Sequence, residues 1–122
     1  MQGVRVLVVE DESPIAMLLE DMLETLGCVV SGCAASVAEA LRLGADGEFD
    51  VALLDMNLAG EVVLPVAHVL EAREAAFVFV TGYGEQGVPD RFRGRPVVSK
   101  PFLINELAAS ISLALEARPA RG

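Results

Sequence analysis

Three acidic residues stand in a row directly after an apolar stretch near the start of the sequence. The stretch is VLVV, and Glu10, Asp11 and Glu12 follow it. Carboxylates crowded in this way raise one another's pKa values unless a cation lies among them. Mg²⁺ prefers oxygen ligands, usually one or two carboxylates with waters and a phosphate. We therefore predict a site for a divalent cation that also receives an anion.

Three further polar residues follow apolar stretches elsewhere in the chain. Asp55 comes after VALL, Thr81 after FVFV, and Lys100 after VVS. A carboxylate such as that of Asp55 can attack a phosphoryl group and form an acyl phosphate. A lysine ammonium can pair with the transferred oxygens, and a threonine hydroxyl can donate a hydrogen bond to them. Together with the acidic row, these residues predict phosphoryl chemistry on Asp55.

The patterns between these residues predict the elements that position them. Apolar stretches rich in β-branched residues predict five strands, at 4–9, 28–33, 50–55, 76–81 and 95–99. Apolar residues at helical spacing predict four helices, at 13–26, 36–44, 65–73 and 104–117. The stretch 82–94 is rich in glycine and has no helical periodicity. A helix there should be short, irregular or absent.

Residues typical of helix ends support these boundaries. Ser13 is predicted to cap the first helix with Pro14 at its first position, and Gly27 is predicted to end it. Ser36 and Glu39 have the spacing of a capping box for the second helix.

The alternation of strands and helices predicts an α/β fold with a parallel sheet and right-handed crossovers. We expect the flavodoxin-like (βα)5 architecture, a doubly wound parallel five-stranded sheet with strand order 2-1-3-4-5. In such a sheet, ligands bind beyond the carboxyl ends of the strands, where the strand order reverses. This arrangement brings the acidic row beside Asp55, with Thr81 and Lys100 nearby.

With these residues in this order, the chain resembles a response-regulator receiver domain of two-component signalling over essentially its whole length. The matching residues are the pair Glu10-Asp11, Asp55, Thr81 and the run Lys100-Pro101-Phe102. The resemblance implies that Asp55 is the phosphoacceptor. It also implies that Thr81 follows the phosphoryl group and that Lys100 pairs with it.

The resemblance further implies a magnesium cofactor. Asp11, Asp55 and the backbone carbonyl of Asn57 would bind Mg²⁺, and Glu10 would reach it through water. The peptide bond between Lys100 and Pro101 would be cis, as it is in the family.

The sequence departs from the usual family pattern at two places. Val97 stands three residues before the lysine, where the family often has a switching aromatic residue. The run 77–84 resembles a variant subgroup of stand-alone receivers with a Phe-x-Thr-Gly-Tyr type motif and a flexible segment instead of a regular fourth helix. We expect Tyr83, or the loop itself, to replace the missing aromatic residue.

Composition limits the classes of partner and compartment. The net charge of −9 argues against nucleic acid and anionic membrane as partners. No apolar run reaches the roughly 18 residues of a membrane span, and no signal peptide is apparent, so we expect a cytoplasmic protein. Cys28 and Cys33 are interpreted as small buried hydrophobic residues rather than a disulfide or a zinc site.

These patterns and the resemblance predict a phosphoryl-accepting signalling module and not a turnover enzyme. Its donor would be a sensor histidine kinase or a phosphotransfer protein, and its output a downstream protein target. A receiver domain is expected over 1–118, with a frayed tail at 119–122, no attached output domain, and a monomeric or weakly dimeric state.

Two alternatives remain open at this point. A haloacid-dehalogenase-like phosphatase also uses a nucleophilic aspartate, but it needs a second aspartate where this chain has Asn57. A receiver-like interaction module that is never phosphorylated would have no need of the full set of Asp55, Thr81 and Lys100.

Overall fold

The computed structural model of the protein describes residues 1–58, 60–82 and 88–117. The strands are β1 (Arg5–Val9), β2 (Val29–Ala34), β3 (Val51–Asp55), β4 (Asn57–Leu58), β5 (Glu61–Val62), β6 (Ala76–Thr81) and β7 (Val97–Ser99). The helices are α1 (Ser13–Thr25), α2 (Val37–Asp46), α3 (Leu64–Ala72) and α4 (Ile104–Ala117). All five predicted strands and all four predicted helices are present.

Five of the strands form one parallel sheet in the order β2-β1-β3-β6-β7. Counting only these five strands, the order is 2-1-3-4-5, so the predicted flavodoxin-like topology is confirmed. Every residue of β3 and β6, two of the three inner strands, is buried. Continuous apolar runs are needed here because helices cover both faces of the sheet.

The core has one apolar layer on each side of the sheet. Residues of α2 and α3, such as Ala40 and Leu70, pack on one face. Residues of α1 and α4, such as Leu23 and Ile111, pack on the other. Within the described part of the chain, no helix has the length and apolar character needed to cross a membrane.

The pairing of β1 with β2 shifts by one residue along its length. Val6 pairs with Val30, but the next residue, Leu7, pairs with Gly32. Ser31 is therefore an extra residue in β2, which makes a bulge. Its hydroxyl donates a hydrogen bond of 3.3 Å to the carbonyl oxygen of Val6.

The helix ends confirm two of the predicted boundary residues and correct a third. Gly27 follows the end of α1 with a φ of +86°, which favours glycine. At α2, the Ser36 hydroxyl accepts a hydrogen bond from the Glu39 N–H. The prediction that Ser13 caps α1 is wrong, because Ser13 is already helical and Glu12 occupies the cap without a side-chain hydrogen bond.

The connection between β6 and β7 contains little regular structure. Among its described residues, 82 and 88–96, one turn of 3₁₀ helix at Asp90–Phe92 is the only helical element. This is consistent with the short or irregular fourth helix that the glycines predict. Tyr83 lies outside the described residues, as do the rest of 83–87 within that glycine-rich stretch and the expected tail at 119–122.

Two features of the fold differ from expectation. A small antiparallel pair, β4 with β5, follows β3 directly and was not predicted. It includes Gly60 with a φ of +83°, a conformation that favours glycine. Of the two cysteines, both free, Cys28 is buried as predicted, but Cys33 is exposed because it lies on the outer strand β2.

Candidate functional site

The polar residues singled out in the sequence all lie at the carboxyl ends of the sheet strands. Glu10 directly follows β1, Asp55 and Thr81 are the last residues of β3 and β6, and Lys100 directly follows β7. Because parallel strands end at the same edge, the topology alone brings these side chains together. Glu10, Asp55 and Thr81 are only 5%, 6% and 2% exposed, although all three are polar.

Three carboxylates converge at this edge. One oxygen atom from each of Glu10, Asp11 and Asp55 can be chosen so that all three lie within 4.8 Å of one another. Hard divalent cations such as Mg²⁺ bind oxygen donors of this kind. The predicted cluster of acids is thus brought together by the fold.

Lys100 lies against two of these carboxylates. Its Nζ is 3.1 Å from Oδ2 of Asp55 and 3.4 Å from Oε1 of Glu10. Burial acts to lower the pKa of Lys100, but the hydrogen bond and charge of Asp55, together with Glu10, outweigh it and raise that pKa. Lys100 is therefore a fixed positive charge in the site.

The backbone around Lys100 is tied to the neighbouring strand. The Lys100 N–H donates to the carbonyl oxygen of Thr81 at 2.9 Å. The peptide bond between Lys100 and Pro101 is cis, as the resemblance implies.

Glu10 is buried with an incomplete set of partners. Its Oε2 accepts a hydrogen bond from the Glu12 N–H at 3.1 Å, whereas Oε1 is buried and accepts no hydrogen bond within the described structure. Burial, followed by the neighbouring Asp55 carboxyl, raises the pKa of Glu10 from 4.5 to about 7. Beside Oε1 the described structure places only the Lys100 ammonium, at 3.4 Å, and a second carboxylate lies opposite. This arrangement fits a site made for a further cation.

An open cleft of about 500 Å³ gives access to this cluster. Its lining residues are Asp11, Glu12, Asp55, Asn57, Gly60, Gly82 and Lys100. The Asn57 N–H donates to Oδ1 of Asp55 at 3.2 Å, so this carboxylate is held by Asn57 on one oxygen and Lys100 on the other. The cleft can therefore admit an anionic group to a carboxylate fixed from two sides.

The sequence analysis did not identify the two glycines of the cleft as site residues. Gly82 directly follows Thr81, and Gly60 lies in the turn between β4 and β5. A Cβ atom at either position would meet no other atom within 4 Å. The available signal was their position in the chain, with Gly82 directly after Thr81 and Gly60 three residues after Asn57.

A smaller apolar groove of about 310 Å³ adjoins Lys100. It is lined by Ile15 and Leu18 of α1 and by Lys100, Pro101 and Phe102. Leu18 is 46% exposed, and Met17 beside it is 62% exposed. The site therefore combines a polar cleft with an apolar flank formed by α1.

Comparison with known proteins agrees with this geometry. The sequence model of the response regulator receiver domain family matches residues 6–112. The solved structure of SdrG from Sphingomonas melonis Fr1 is 46% identical with a TM-score of 0.82, over 93% of this chain and 97% of SdrG. The receiver domain of PhyR from Erythrobacter litoralis is 30% identical with a TM-score of 0.85, over 100% of this chain and 97% of that domain.

A curated relative extends the comparison to longer proteins. YkoG from Bacillus subtilis, an uncharacterized transcriptional regulatory protein, is 32% identical over 120 residues, which is 94% of this chain and 52% of YkoG. The chain spans about half the length of the curated relatives that it matches.

Proposed function

Because this chain belongs to the response-regulator receiver domain family, we propose that it accepts a phosphoryl group on Asp55 and signals through the resulting change in its surface. Members of this family such as SdrG are regulators rather than turnover enzymes, so the prediction that the chain is not an enzyme is confirmed. The haloacid-dehalogenase-like phosphatase is set aside for the same reason.

The observation that carries the proposal is the environment of the Asp55 carboxylate. It faces an open cleft, with the Lys100 ammonium 3.1 Å from one oxygen and the Asn57 N–H 3.2 Å from the other. These contacts fix the carboxylate in position before a phosphoryl donor arrives. Fixing a nucleophile in this way lowers the entropic part of the barrier to transfer.

The proposed reaction is a transfer from a phosphohistidine of a sensor histidine kinase or phosphotransfer protein. An oxygen of Asp55 forms a bond to phosphorus while the P–N bond of the donor breaks, and its electron pair returns to the imidazole nitrogen. Lys100 pairs with an oxygen of the transferred group, and the Thr81 hydroxyl donates a hydrogen bond to another. The product is an aspartyl phosphate.

The acidic cluster fits the Mg²⁺ that the family uses. Glu10, Asp11, Asp55 and the backbone carbonyl of Asn57 would hold it, and the buried Oε1 of Glu10, which lies 3.4 Å from the Lys100 ammonium, would gain a second positive neighbour. A divalent cation supplies charge neutralisation for the phosphoryl oxygens during transfer. Asp11 is the most exposed member of the cluster, because it is half-buried whereas Glu10 and Asp55 are buried.

Intact-mass spectrometry after incubation with acetyl phosphate and Mg²⁺ tests the proposal. Wild type should gain one phosphate-sized mass, and Asp55→Asn should gain none. Asp21→Asn, the same change at an exposed position of α1, is the matched control and should behave as wild type. Chelation of Mg²⁺ with EDTA should abolish the gain.

The alternative module that is never phosphorylated makes the opposite prediction. Wild type, Asp21→Asn and Asp55→Asn would then all keep their unmodified mass with acetyl phosphate. Incubation with a histidine kinase that carries a labelled phosphohistidine provides the second arm, because transfer from protein donors does not depend on reactivity with acetyl phosphate. Absence of label from wild type in both arms would refute phosphorylation of Asp55.

A further inference from the structure

A single carboxylate on α3 contacts two arginines of the β6–β7 connection. Glu71 lies near the carboxyl end of α3, and its Oε1 is 2.5 Å from Nη2 of Arg91. Its Oε2 is 3.2 Å from Nη2 of Arg95. The two arginines lie at opposite ends of segment 90–95, so one side chain of α3 holds both ends of this segment.

An aromatic contact fixes the middle of the same segment. Phe92 lies between the two arginines and is only 1% exposed. Its ring centroid is 5.6 Å from that of Phe79 and 6.1 Å from that of Phe77, both on β6. The Arg95 guanidinium lies over the Phe77 ring at 4.5 Å. The ring of His68 on α3 is also near, with its centroid 5.2 Å from that of Phe92. Segment 90–95 is thus attached to α3 by charge and by a ring contact, and to β6 by aromatic packing.

Segment 90–95 lies in the chain between two residues of the phosphoryl site. Thr81 and Gly82 precede it at the end of β6, and Lys100 follows it after β7. Val88, which leads into the segment, is buried. The segment is therefore a fixed point of the connection that joins these two parts of the site.

We propose that Glu71 is a positioning residue that holds segment 90–95 in one place in both states of the phosphoryl site. The inference rests on the proposed function, because it assumes that Asp55 changes state. Rearrangement that starts at Thr81 and Gly82 then ends before residue 90, and the surface formed by α3 and segment 90–95 stays constant. Partners that distinguish the two states then have to contact the chain outside this constant surface.

The test uses beryllofluoride with Mg²⁺ as the phosphoryl analogue and ¹⁵N amide shifts as the measurement. In wild type, the amides of Asn57 and Gly82 should shift, and those of Arg91, Phe92 and Arg95 should shift several-fold less. In Glu71→Gln, one of the two arginine guanidiniums faces an amide NH2 group instead of a carboxylate oxygen and loses its acceptor. The shifts of segment 90–95 should therefore grow towards that of Gly82. Glu24→Gln, the same change at an exposed residue of α1, should match wild type.

A second variant keeps the test informative if Glu71→Gln folds poorly. Arg91→Gln removes one of the two ion pairs at a half-exposed side chain and should give an intermediate response. Equal shifts at Gly82 and Arg95 in wild type would overturn the proposal. So would a Glu71→Gln response to beryllofluoride that is identical to that of wild type.

Hydrogen exchange separates failure of this inference from failure of the proposed function. The Arg95 N–H donates to the Phe92 carbonyl oxygen at 3.1 Å, so its exchange reports local opening of the segment. Glu71→Gln should speed this exchange at least about threefold, and Glu24→Gln should leave it unchanged. If beryllofluoride shifts no amide at Asn57 or Gly82, the proposed function fails, and the exchange rates alone decide whether Glu71 holds the segment. Unchanged exchange in Glu71→Gln would refute that role as well.

Discussion

At the residue scale, the side chain of Glu10 has few groups around it that compensate the cost of burying a carboxylate. It is buried, it faces Asp55, and its Oε1 has no hydrogen-bond donor in the described structure. A carboxyl group whose pKa is raised on folding binds a proton more tightly in the folded protein than in the unfolded chain. Its contribution to stability is therefore present at low pH and is lost as the pH rises through the pKa that the group has in the folded protein.

This gives a prediction for the protein without Mg²⁺. The pKa of Glu10 is 4.5 ordinarily and about 7 in the fold, so the affected window runs from about pH 4.5 to just above pH 7. In EDTA, the unfolding free energy of wild type should fall relative to that of Glu10→Gln as pH rises across this window. Urea denaturation at several pH values measures the difference. Glu12→Gln is the control in the same cleft, and a constant wild-type to Glu10→Gln difference would contradict the prediction.

Cys33 offers a second prediction at this scale. Although Cys33 is exposed as a residue, partial burial of its thiol, followed by its hydrogen bond to Glu20, raises the pKa of Cys33 from 9.0 to about 11. The thiolate is the reactive form, and a rise of two pKa units reduces the fraction of thiolate about a hundredfold. A thiolate of higher pKa is more nucleophilic, which offsets about tenfold of that loss in rate. In a Cys28→Ala background, Glu20→Ala should therefore speed the reaction with Ellman's reagent at pH 8 severalfold. Glu24→Ala should not, and equal rates in both variants would disprove the role of Glu20.

At the element scale, two serines with similar sequence contexts differ in the structure. Ser36 caps α2, and Glu39 Oε1 completes the box by accepting from the Ala35 N–H at 2.9 Å. Ser13 lies inside the first turn of α1, where Glu12 takes the cap position without a side-chain hydrogen bond. The sequence alone did not distinguish the two serines, because a serine directly before Pro14 can be either the cap of the helix or its first helical residue.

We expect these serines to respond differently to removal of the hydroxyl. Ser36→Ala should lower the unfolding free energy by about 1 kcal/mol, because a helix N–H loses its acceptor. Ser13→Ala should change it by less than about 0.5 kcal/mol. Urea denaturation of both variants measures the two values. Equal losses would show that the cap at Ser36 contributes nothing specific.

The elements of this fold differ in how well their sequences predict them. The five sheet strands were predictable because burial on both faces demands long apolar runs, as in VALL before Asp55. The pair β4–β5 was not predictable, because strands of two residues are too short to show periodicity. The convergence of Glu10, Asp55 and Lys100 followed from topology alone. The contacts of Glu71 did not follow from the topology, because they depend on side-chain positions in elements that are distant in sequence.

At the scale of the whole molecule, the negative charge is distributed unevenly. Residues 6–41 contain no lysine or arginine. The acidic residues in this range are Glu10, Asp11, Glu12, Glu20, Asp21, Glu24 and Glu39. This part of the molecule, which includes α1 and β2, therefore accounts for most of the net charge of −9. Repulsion among these groups opposes folding and is screened by salt.

We therefore expect sodium chloride to stabilise the protein. In EDTA, the melting temperature of wild type should rise between low salt and about 0.5 M, because the Debye length falls below the spacing of these charges. The double variant Asp21→Lys/Glu24→Lys places two positive charges on α1 and should show a smaller rise. Differential scanning fluorimetry measures both. The same salt dependence in the two proteins would show that this repulsion does not limit stability.

The bulge at Ser31 has a consequence for how these molecules behave at high concentration. β2 is an outermost strand of the sheet, and an outermost strand offers unpaired backbone groups on which another chain can add. The extra residue breaks the regular spacing of those groups, and the local twist that it introduces turns them away from a common line. The bulge therefore disfavours the addition of further strands, and growth into fibres, at this edge of the sheet. The apolar runs that the core of the sheet requires are kept.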